Sequence, residues 1–254
     1  MLRSLHELKN YTISAFDGEI GHCSDFLFDD EHWTVRYMVA DTGKWLPGRK
    51  VLISPISLDT PDWTTHSFPV KLNKEEVKNS PSLYSDAPVS RQYEMQHADF
   101  FGWPYYWEGG YLWGMESTPA LLHARAKSLE SVDKKTRPGE EDHLKIHLRS
   151  VNEVKGYKIS ASDGNIGHIN DFIVEDHIWT IRYLVISTRN WIPGKKVIMS
   201  PGWISKIDWI YANVEVNLPV DAIKKAPEFH PSEPINREYE TRLYDFYGRP
   251  KYWE

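Results

Sequence analysis

The chain consists of one sequence unit that occurs twice. Residues 2–108 align with residues 148–254 without a gap, and about 47 of the 107 aligned pairs are identical. The motif Asp-Gly-x-Ile-Gly-His, for example, begins at Asp17 and again at Asp163. A fixed internal period of this kind predicts two copies of one small domain. The 254 residues are enough for each copy to bury a core of its own.

Each copy has the pattern of a small all-β domain with a helical tail. In the first copy, alternating apolar residues between turn signals predict strands over 9–15, 20–28, 33–41, 50–54 and 67–73. Asn73 and Ser90 are suitable N-caps and predict helices over 74–78 and 91–101. Five or six short strands joined by tight turns predict a closed or nearly closed antiparallel barrel. The expected fold is mainly β, with two tandem small antiparallel β-barrels, each followed by a short C-terminal helical tail.

The repeat also sets the expected domain boundaries. Residues 1–108 are the first barrel domain with its aromatic tail, residues 147–254 are the second, and residues 109–146 connect them. The connection has no counterpart in either copy. Its glycine pair, a helical stretch over 119–132 and a charged end predict a mobile linker with one or two amphipathic turns.

Several motifs of both copies are similar to those of the PRC-barrel family. They are Gly-x-Ile-Gly-x-x-x-Asp-Phe, Trp-Thr-Val/Ile-Arg-Tyr, Pro-Gly-Arg/Lys-Lys-Val and Ser-Pro. The resemblance covers residues 3–72 and 149–218, and the tails over 90–108 and 236–254 resemble an extension of bacterial stand-alone members. It implies a PRC-type barrel in an adaptor that binds other proteins, as in the cytoplasmic part of the photosynthetic reaction centre H subunit. The same barrel occurs in a ribosome-maturation factor. The chain lacks the membrane helix of the former and the second domain type of the latter.

The net charge of −6 lies entirely on the first copy. Residues 1–108 contain ten Lys/Arg and sixteen Asp/Glu, whereas residues 109–146 and 147–254 are each neutral. Neither copy has the basic stripe that binding to a phosphate backbone requires. The charge distribution therefore argues against direct contact with nucleic acid.

Cysteine content and hydropathy bear on the compartment. The single cysteine, Cys23, excludes an internal disulfide framework and favours the cytoplasm. The chain opens on domain-like sequence instead of a signal peptide, and its apolar runs are too short to cross a bilayer. We expect a cytoplasmic bacterial protein without a membrane span.

The motifs do not assemble a familiar catalytic or metal-binding pattern. His22 and His168 each precede an aspartate by three residues, but positions three apart on a strand point to opposite faces. A hydrogen-bonded strand histidine is therefore favoured over a metal ligand, and no cofactor is predicted. Cys23 becomes Ile169 in the second copy, as expected of an apolar filler. The Gly-x-x-Gly segments precede no helix, so we interpret them as structural turns built from Asp17, Gly18, Gly21, Asp163, Gly164 and Gly167.

Aromatic residues are abundant, at 13% of the chain, and many of them lie in loops and tails. A partly exposed aromatic surface and simple packing of each tail on its barrel fit this pattern equally well. The candidate interface residues are Trp45, Tyr93, Phe100, Trp107, Trp191, Tyr239, Phe246 and Trp253. We expect the two barrels to pair about an intramolecular pseudo-two-fold axis with tail aromatics at the joint, and to bind a further protein partner.

These features favour a non-enzymatic adaptor for protein–protein interaction. The first alternative is a factor associated with ribosomes or RNA processing, which the family resemblance suggests and the charge opposes. The second is an enzyme or a small-ligand binder with an unrecognised site. It requires converging polar side chains in a pocket.

Overall fold

A computed structural model describes residues 1–43, 45–83, 89–129, 147–188 and 195–254. This part of the chain is mainly β and contains two sheets. None of its helices is long and apolar enough to cross a membrane.

Most elements of the first repeat recur at the aligned positions of the second. The strands are β1 (Leu2–Ser4), β2 (Thr12–Ala15), β3 (Gly18–Asp29), β4 (Val35–Asp41), β5 (Lys50–Ile53), β6 (Ser67–Pro69), β7 (Leu148–Ser150), β8 (Lys158–Ala161), β9 (Gly164–Glu175), β10 (Thr180–Ser187), β11 (Lys196–Met199), β12 (Ile204–Asp208) and β13 (Asn213–Val216). The α-helices are α1 (Leu5–Leu8), α2 (Lys74–Asn79), α3 (Arg91–Phe101), α4 (Pro119–Leu129), α5 (Val151–Val154), α6 (Val220–Lys225) and α7 (Arg237–Tyr247).

The chain divides into two compact units whose boundaries differ from those of the repeats. The first-repeat unit comprises Glu7–Asn152 and Asp176–Thr180. The second-repeat unit comprises Met1–His6, Glu153–Glu175 and Ile181–Glu254. Each unit therefore contains the first strand of the other repeat, an exchange that the sequence analysis did not predict.

The sheet of the first-repeat unit has the strand order β5-β4-β3-β2-β6, and β7 pairs with β3 in addition. The hairpin β2–β3 and the pair β3–β4 are antiparallel, whereas β2 and β6 are parallel. The exchanged strand β7 is antiparallel to β3, with Leu148 opposite Asp29 and Ser150 opposite Leu27. Trp179, from the short segment Asp176–Thr180, is buried in this unit near Phe26.

The sheet of the second-repeat unit repeats this arrangement. Its strand order is β11-β10-β9-β8-β13-β12, and the exchanged strand β1 pairs antiparallel with β9. The parallel pair β8–β13 corresponds to β2–β6. The order of the five strands that both sheets share on this path is thus the same, as the gapless alignment implies, whereas β12 at the edge of the second sheet has no counterpart among the named strands of the first. Hydrogen bonds between the named strands do not close either sheet into a barrel, so the closed barrel stays a prediction.

The glycine turns bring two strands into close contact in each unit. A Cβ on Gly21, whose φ is +155°, would lie 2.0 Å from the carbonyl oxygen of Asp41 on β4. A Cβ on Gly167 would lie 1.9 Å from the carbonyl oxygen of Ser187 on β10. Because no side chain fits such a gap, these positions require glycine.

The aspartates of the same turns cap helices. The side chain of Asp17 accepts a hydrogen bond from the backbone N–H of Lys74 at 2.8 Å, at the start of α2. Asp163 accepts one from the N–H of Val220 at 2.7 Å, at the start of α6. Each hairpin turn is thereby joined to the helix that follows the sheet. Gly18 and Gly164 begin β3 and β9 in these turns.

The tail helix predicted over 91–101 is present as α3, and its ends are set by local chemistry. The Ser90 side chain accepts from the N–H of Tyr93, and Gly102 ends the helix in the left-handed conformation at φ +69°. In the second repeat, α7 has the same length, with Asn236 as N-cap and Gly248 as the left-handed C-cap.

Part of the expected linker is packed into the first-repeat unit. Trp113 and Leu122 are both fully buried, and α4 forms the helix predicted in this region. The rest of the linker, residues 130–146, lies outside the described residues.

Candidate interaction site

In both units the tail helix is held by a network of arginine, tyrosine and glutamate side chains. The first tail network consists of Arg36, Tyr37, Arg91, Glu94 and Tyr106. Glu94 is buried and accepts hydrogen bonds from the hydroxyl of Tyr106 at 2.6 Å and from the guanidinium of Arg91 at 3.1 Å. Arg91 also donates to the Tyr106 hydroxyl at 3.1 Å. The capped start of α3 places Arg91 and Glu94 one turn apart, on the same side of the helix.

Arg36 is the most enclosed cation of this network. Its Nε donates to Asp29 at 2.7 Å, and one Nη donates to the backbone carbonyl of Leu112 at 2.5 Å. The guanidinium lies 4.1 Å from the ring centroid of Tyr106 and 4.7 Å from that of Trp113. A planar cation in contact with two rings and two acceptors is strongly fixed in orientation.

Burial changes the acid–base properties of α3. It raises the pKa of Glu94 to about 7, while the positive charge of Arg91 opposes the change. It lowers the pKa of His97 to about 4, because a charged imidazolium would lose its hydration. The Nε2 of His97 donates to the carbonyl of Leu52 at 2.9 Å, and its buried Nδ1 has no partner in the part of the chain that the structure describes. Both geometry and burial thus favour the neutral ring.

The second tail network consists of Arg182, Tyr183, Arg237, Glu240 and Tyr252, the residues that align with the first. Glu240 is buried and accepts from the hydroxyls of Tyr183 at 2.7 Å and Tyr252 at 2.9 Å. Arg237 is 3.1 Å from the same carboxylate. Arg182 donates to Glu175 at 2.7 Å, and its guanidinium lies 4.1 Å from the Tyr252 centroid.

The two networks differ in exposure, although their residues are identical. The side chain of Arg36 is 2% exposed, whereas that of Arg182 is 22% exposed. The side chain of Arg91 is 8% exposed, whereas that of Arg237 is 56% exposed. The first network is therefore covered, and the second is open to solvent on its cationic side.

The candidate aromatic residues fall into anchored and exposed groups. Tyr93 and Tyr239 donate their hydroxyls to the carbonyls of Pro81 and Pro227, within their own units. Trp107 and Trp253 each lie under an arginine of the tail helix, with 4.1 Å between guanidinium and ring centroid. Trp45 lies under the ammonium of Lys74 at 4.8 Å. Trp191 lies outside the described residues.

Phe100 and Phe246 form the exposed group. They occupy the same position of α3 and α7 and are 44% and 43% exposed. Each touches the next aromatic residue of its helix edge-on, with centroids 4.9 Å and 5.0 Å apart. A large apolar side chain with this exposure in both repeats is available for contact with a partner.

The aspartates near the two strand histidines hold the exchanged strands. Asp25 accepts from the hydroxyl of Ser150 at 2.5 Å and the N–H of Asn152 at 3.1 Å. Asp171 accepts from the hydroxyl of Ser4 at 2.5 Å and the N–H of His6 at 3.0 Å. Within the described ranges, His, Cys, Asp and Glu do not form a group of three that could hold a metal ion.

Cys23 is fully buried beside Asp25, and burial raises the pKa of its thiol. The neutral thiol therefore packs as an apolar side chain in the sheet. Among cavities, one in the second-repeat unit is lined by Glu228, His230, Glu238 and Arg242 and has a volume of about 110 Å³. Its volume is below the roughly 300 Å³ at the lower end of small-molecule sites.

Sequence reasoning missed the tail networks because their members are distant along the chain. Tyr106 folds back onto Glu94 only when Gly102 reverses the chain direction. One sequence signal could have indicated the networks. Every network residue is identical in the two repeats, including polar residues such as Arg36 and Arg182.

Among known proteins, the chain matches no protein-family model and no curated protein. The similarity to the PRC-barrel family therefore rests on the shared motifs and stays a prediction. The two repeats can be compared with each other instead, because the identical residues of the two tail networks differ in exposure.

Proposed function

We propose that this chain is a non-enzymatic adaptor for protein–protein interaction, built from two PRC-type β-barrel domains. The proposal extends the motif resemblance to the cytoplasmic barrel of the reaction centre H subunit. The equal order of the strands that the two sheets share is compatible with duplicated copies of one such domain.

The observation that carries the proposal is the shared exposure of Phe100 and Phe246. A phenylalanine that is nearly half exposed adds little to the stability of its own unit. Its presence at the same helix position in both repeats favours a role in contact with another molecule. Aromatic side chains are enriched at protein interfaces and supply much of their binding energy.

The tail networks support the same conclusion. The first tail network encloses Glu94, whose pKa burial raises to about 7, and His97 on the same helix donates to the carbonyl of Leu52; both contacts fix α3 on its sheet. A helix held on its sheet by several buried hydrogen bonds presents its outer face rigidly. Rigid presentation lowers the entropy cost of binding a partner.

We further propose that the two domains pair within one chain about a pseudo-two-fold axis. The reciprocal exchange of β1 and β7 favours this, because exchange of identical elements is a common route to paired domains. The covalent connection makes the pairing intramolecular.

The adaptor function is tested by capture from extracts of native cells on the immobilised chain. The double variant Phe100→Ser/Phe246→Ser should lose captured proteins that the unaltered chain enriches. Phe16→Ser is the matched control, because Phe16 is more exposed but aligns with Ser162. A captured set that is the same for the double variant and the control would contradict the role of these phenylalanines.

A further inference from the structure

A turn of the connecting segment covers the first tail network. The carbonyl of Leu112 accepts from Arg36, and the indole of Trp113 lies on the same guanidinium. Trp113 is fully buried, and its indole N–H donates to the carbonyl of Ile178 at 2.9 Å. The carbonyl of Leu112 and the indole of the next residue, Trp113, thus both contact the guanidinium of Arg36.

The local conformation of the segment presents these two groups side by side. The backbone N–H of Tyr111 donates to the carbonyl of Gly114 at 3.0 Å, and that of Trp113 donates to Glu116 at 3.0 Å. Gly114 has a φ of +71°, and a Cβ there would lie 2.7 Å from the carbonyl oxygen of Tyr105. The segment is therefore a compact turn whose carbonyl and tryptophan form a single recognition unit.

The second tail network has the same receptor residues in an open state. Arg182 lies over Tyr252 at 4.1 Å, as Arg36 lies over Tyr106 at 4.1 Å. The side chain of Arg182 is 22% exposed, and Tyr252 is also partly exposed. A guanidinium stacked on one ring can contact a second ring beside the first and can donate to a carbonyl, as Arg36 does.

We propose that the second tail network is a docking site for a turn of a partner protein that presents a tryptophan directly after a backbone carbonyl. The partner's carbonyl accepts from Arg182, and its indole lies against the guanidinium and edge-on to Tyr252, as Trp113 lies against Arg36 and edge-on to Tyr106. The proposal rests on the adaptor function and specifies the chemistry of one partner. The connecting segment of the first repeat shows that the shared residues hold such a turn.

The probe is a fluorescent peptide with the sequence of residues 109–118, titrated with the full chain and followed by anisotropy. We expect saturable one-site binding, because the covalent segment already fills the first network. Loss of a desolvated cation–aromatic contact, about 1–2 kcal/mol, corresponds to binding that is roughly 5–30 times weaker for Arg182→Ala. A peptide in which alanine replaces the tryptophan should weaken by a similar factor.

Arg242→Ala is the control, because it removes an exposed arginine of the same unit, on α7, that lies outside the network. If circular dichroism shows that Arg182→Ala does not fold, Arg182→Lys replaces it, since lysine keeps the charge but not the planar stack. No binding at about 1 mM peptide, the limit of a meaningful affinity, would overturn the proposal. Equal affinities of the Arg182 variant and the Arg242→Ala control would also overturn it. The capture test uses Phe100 and Phe246 instead, so the two proposals can fail separately.

Discussion

Replacing Gly21 with alanine tests the close approach of β3 to β4. The added Cβ would lie 2.0 Å from the carbonyl oxygen and 2.9 Å from the carbonyl carbon of Asp41. Both neighbours are backbone atoms inside a sheet, so they cannot rotate away as a side chain would. Because a Cβ essentially never lies closer than 3.0 Å to a neighbouring heavy atom, the two strands must separate by about 1 Å or more.

The expected destabilisation follows from the backbone hydrogen bonds between β3 and β4 that this separation breaks. His22 pairs with Asp41 and Cys23 with Ala40 at this end of the β3–β4 ladder. Loss of one or two backbone hydrogen bonds at about 1 kcal/mol each, together with strain at a positive φ, gives a destabilisation of roughly 2–4 kcal/mol. Gly167→Ala should have a similar effect in the second-repeat unit, where the Cβ would lie 1.9 Å from the Ser187 oxygen.

Urea unfolding with hydrogen exchange read by mass spectrometry measures both the size and the place of the effect. Peptide-level exchange is needed, because a chain with two compact units need not unfold in one transition. Gly110→Ala is the control, since a Cβ there has nothing within 4 Å. If Gly21→Ala unfolded at the same urea concentration as Gly110→Ala, the close approach would not constrain the fold.

Three further predictions concern α3 and the exchanged strands. His97→Leu should cost about 1 kcal/mol at pH 7 through the lost bond to Leu52, but should be tolerated because the aligned residue is the buried Leu243. Because the pKa of His97 is lowered in the fold, its contribution to stability is present above pH 6.5 and is lost as the pH falls toward 4. The free energy of unfolding should fall by up to about 3 kcal/mol over this range, and urea midpoints of His97→Leu should lack this fall. Because the pKa of Glu94 is raised, its contribution to stability is present below pH 4.5 and is lost as the pH rises through about 7. Glu94→Gln should remove this dependence of the unfolding free energy on pH, and an unchanged dependence would contradict its assignment to Glu94. Deletion of residues 1–6 should destabilise the second-repeat unit by roughly 2–4 kcal/mol, because β9 loses the strand β1 and Asp171 loses its hydrogen bonds from Ser4 and His6. Hydrogen exchange should then be faster at residues 171–175 than at 25–29, and the opposite order would mean that β1 pairs within its own repeat.

Local chemistry made much of the fold predictable from sequence. The bounds of α3 follow from Ser90 and Gly102, because a side-chain cap and a left-handed glycine each satisfy the free backbone groups of a helix end. The close approach at Gly21 was visible as a glycine inside a strand that recurs at Gly167. The strand order of one repeat predicted that of the other, since equal loop lengths leave little freedom.

The candidate site was less predictable, because tertiary contacts decide it. Arg36 and Arg182 have nearly the same neighbours in sequence, Thr-Val-Arg-Tyr and Thr-Ile-Arg-Tyr. Only Arg36 is covered, by a segment that begins three residues after its repeat ends. No local pattern around Leu112 or Trp113 indicates which cation they contact. The linker interpretation also overlooked that a tryptophan in a flexible segment is costly to leave in water.

The exchange of first strands could not be read from the sequence for a more basic reason. β1 and β7 have the same sequence, Leu-Arg-Ser, and their partner strands β3 and β9 both contain the aspartate that anchors them. Pairing within a repeat and pairing across repeats therefore make nearly the same local contacts, and local energetics cannot separate them. An exchanged strand ties the stability of each unit to a segment of the other repeat, so neither unit is complete without both copies.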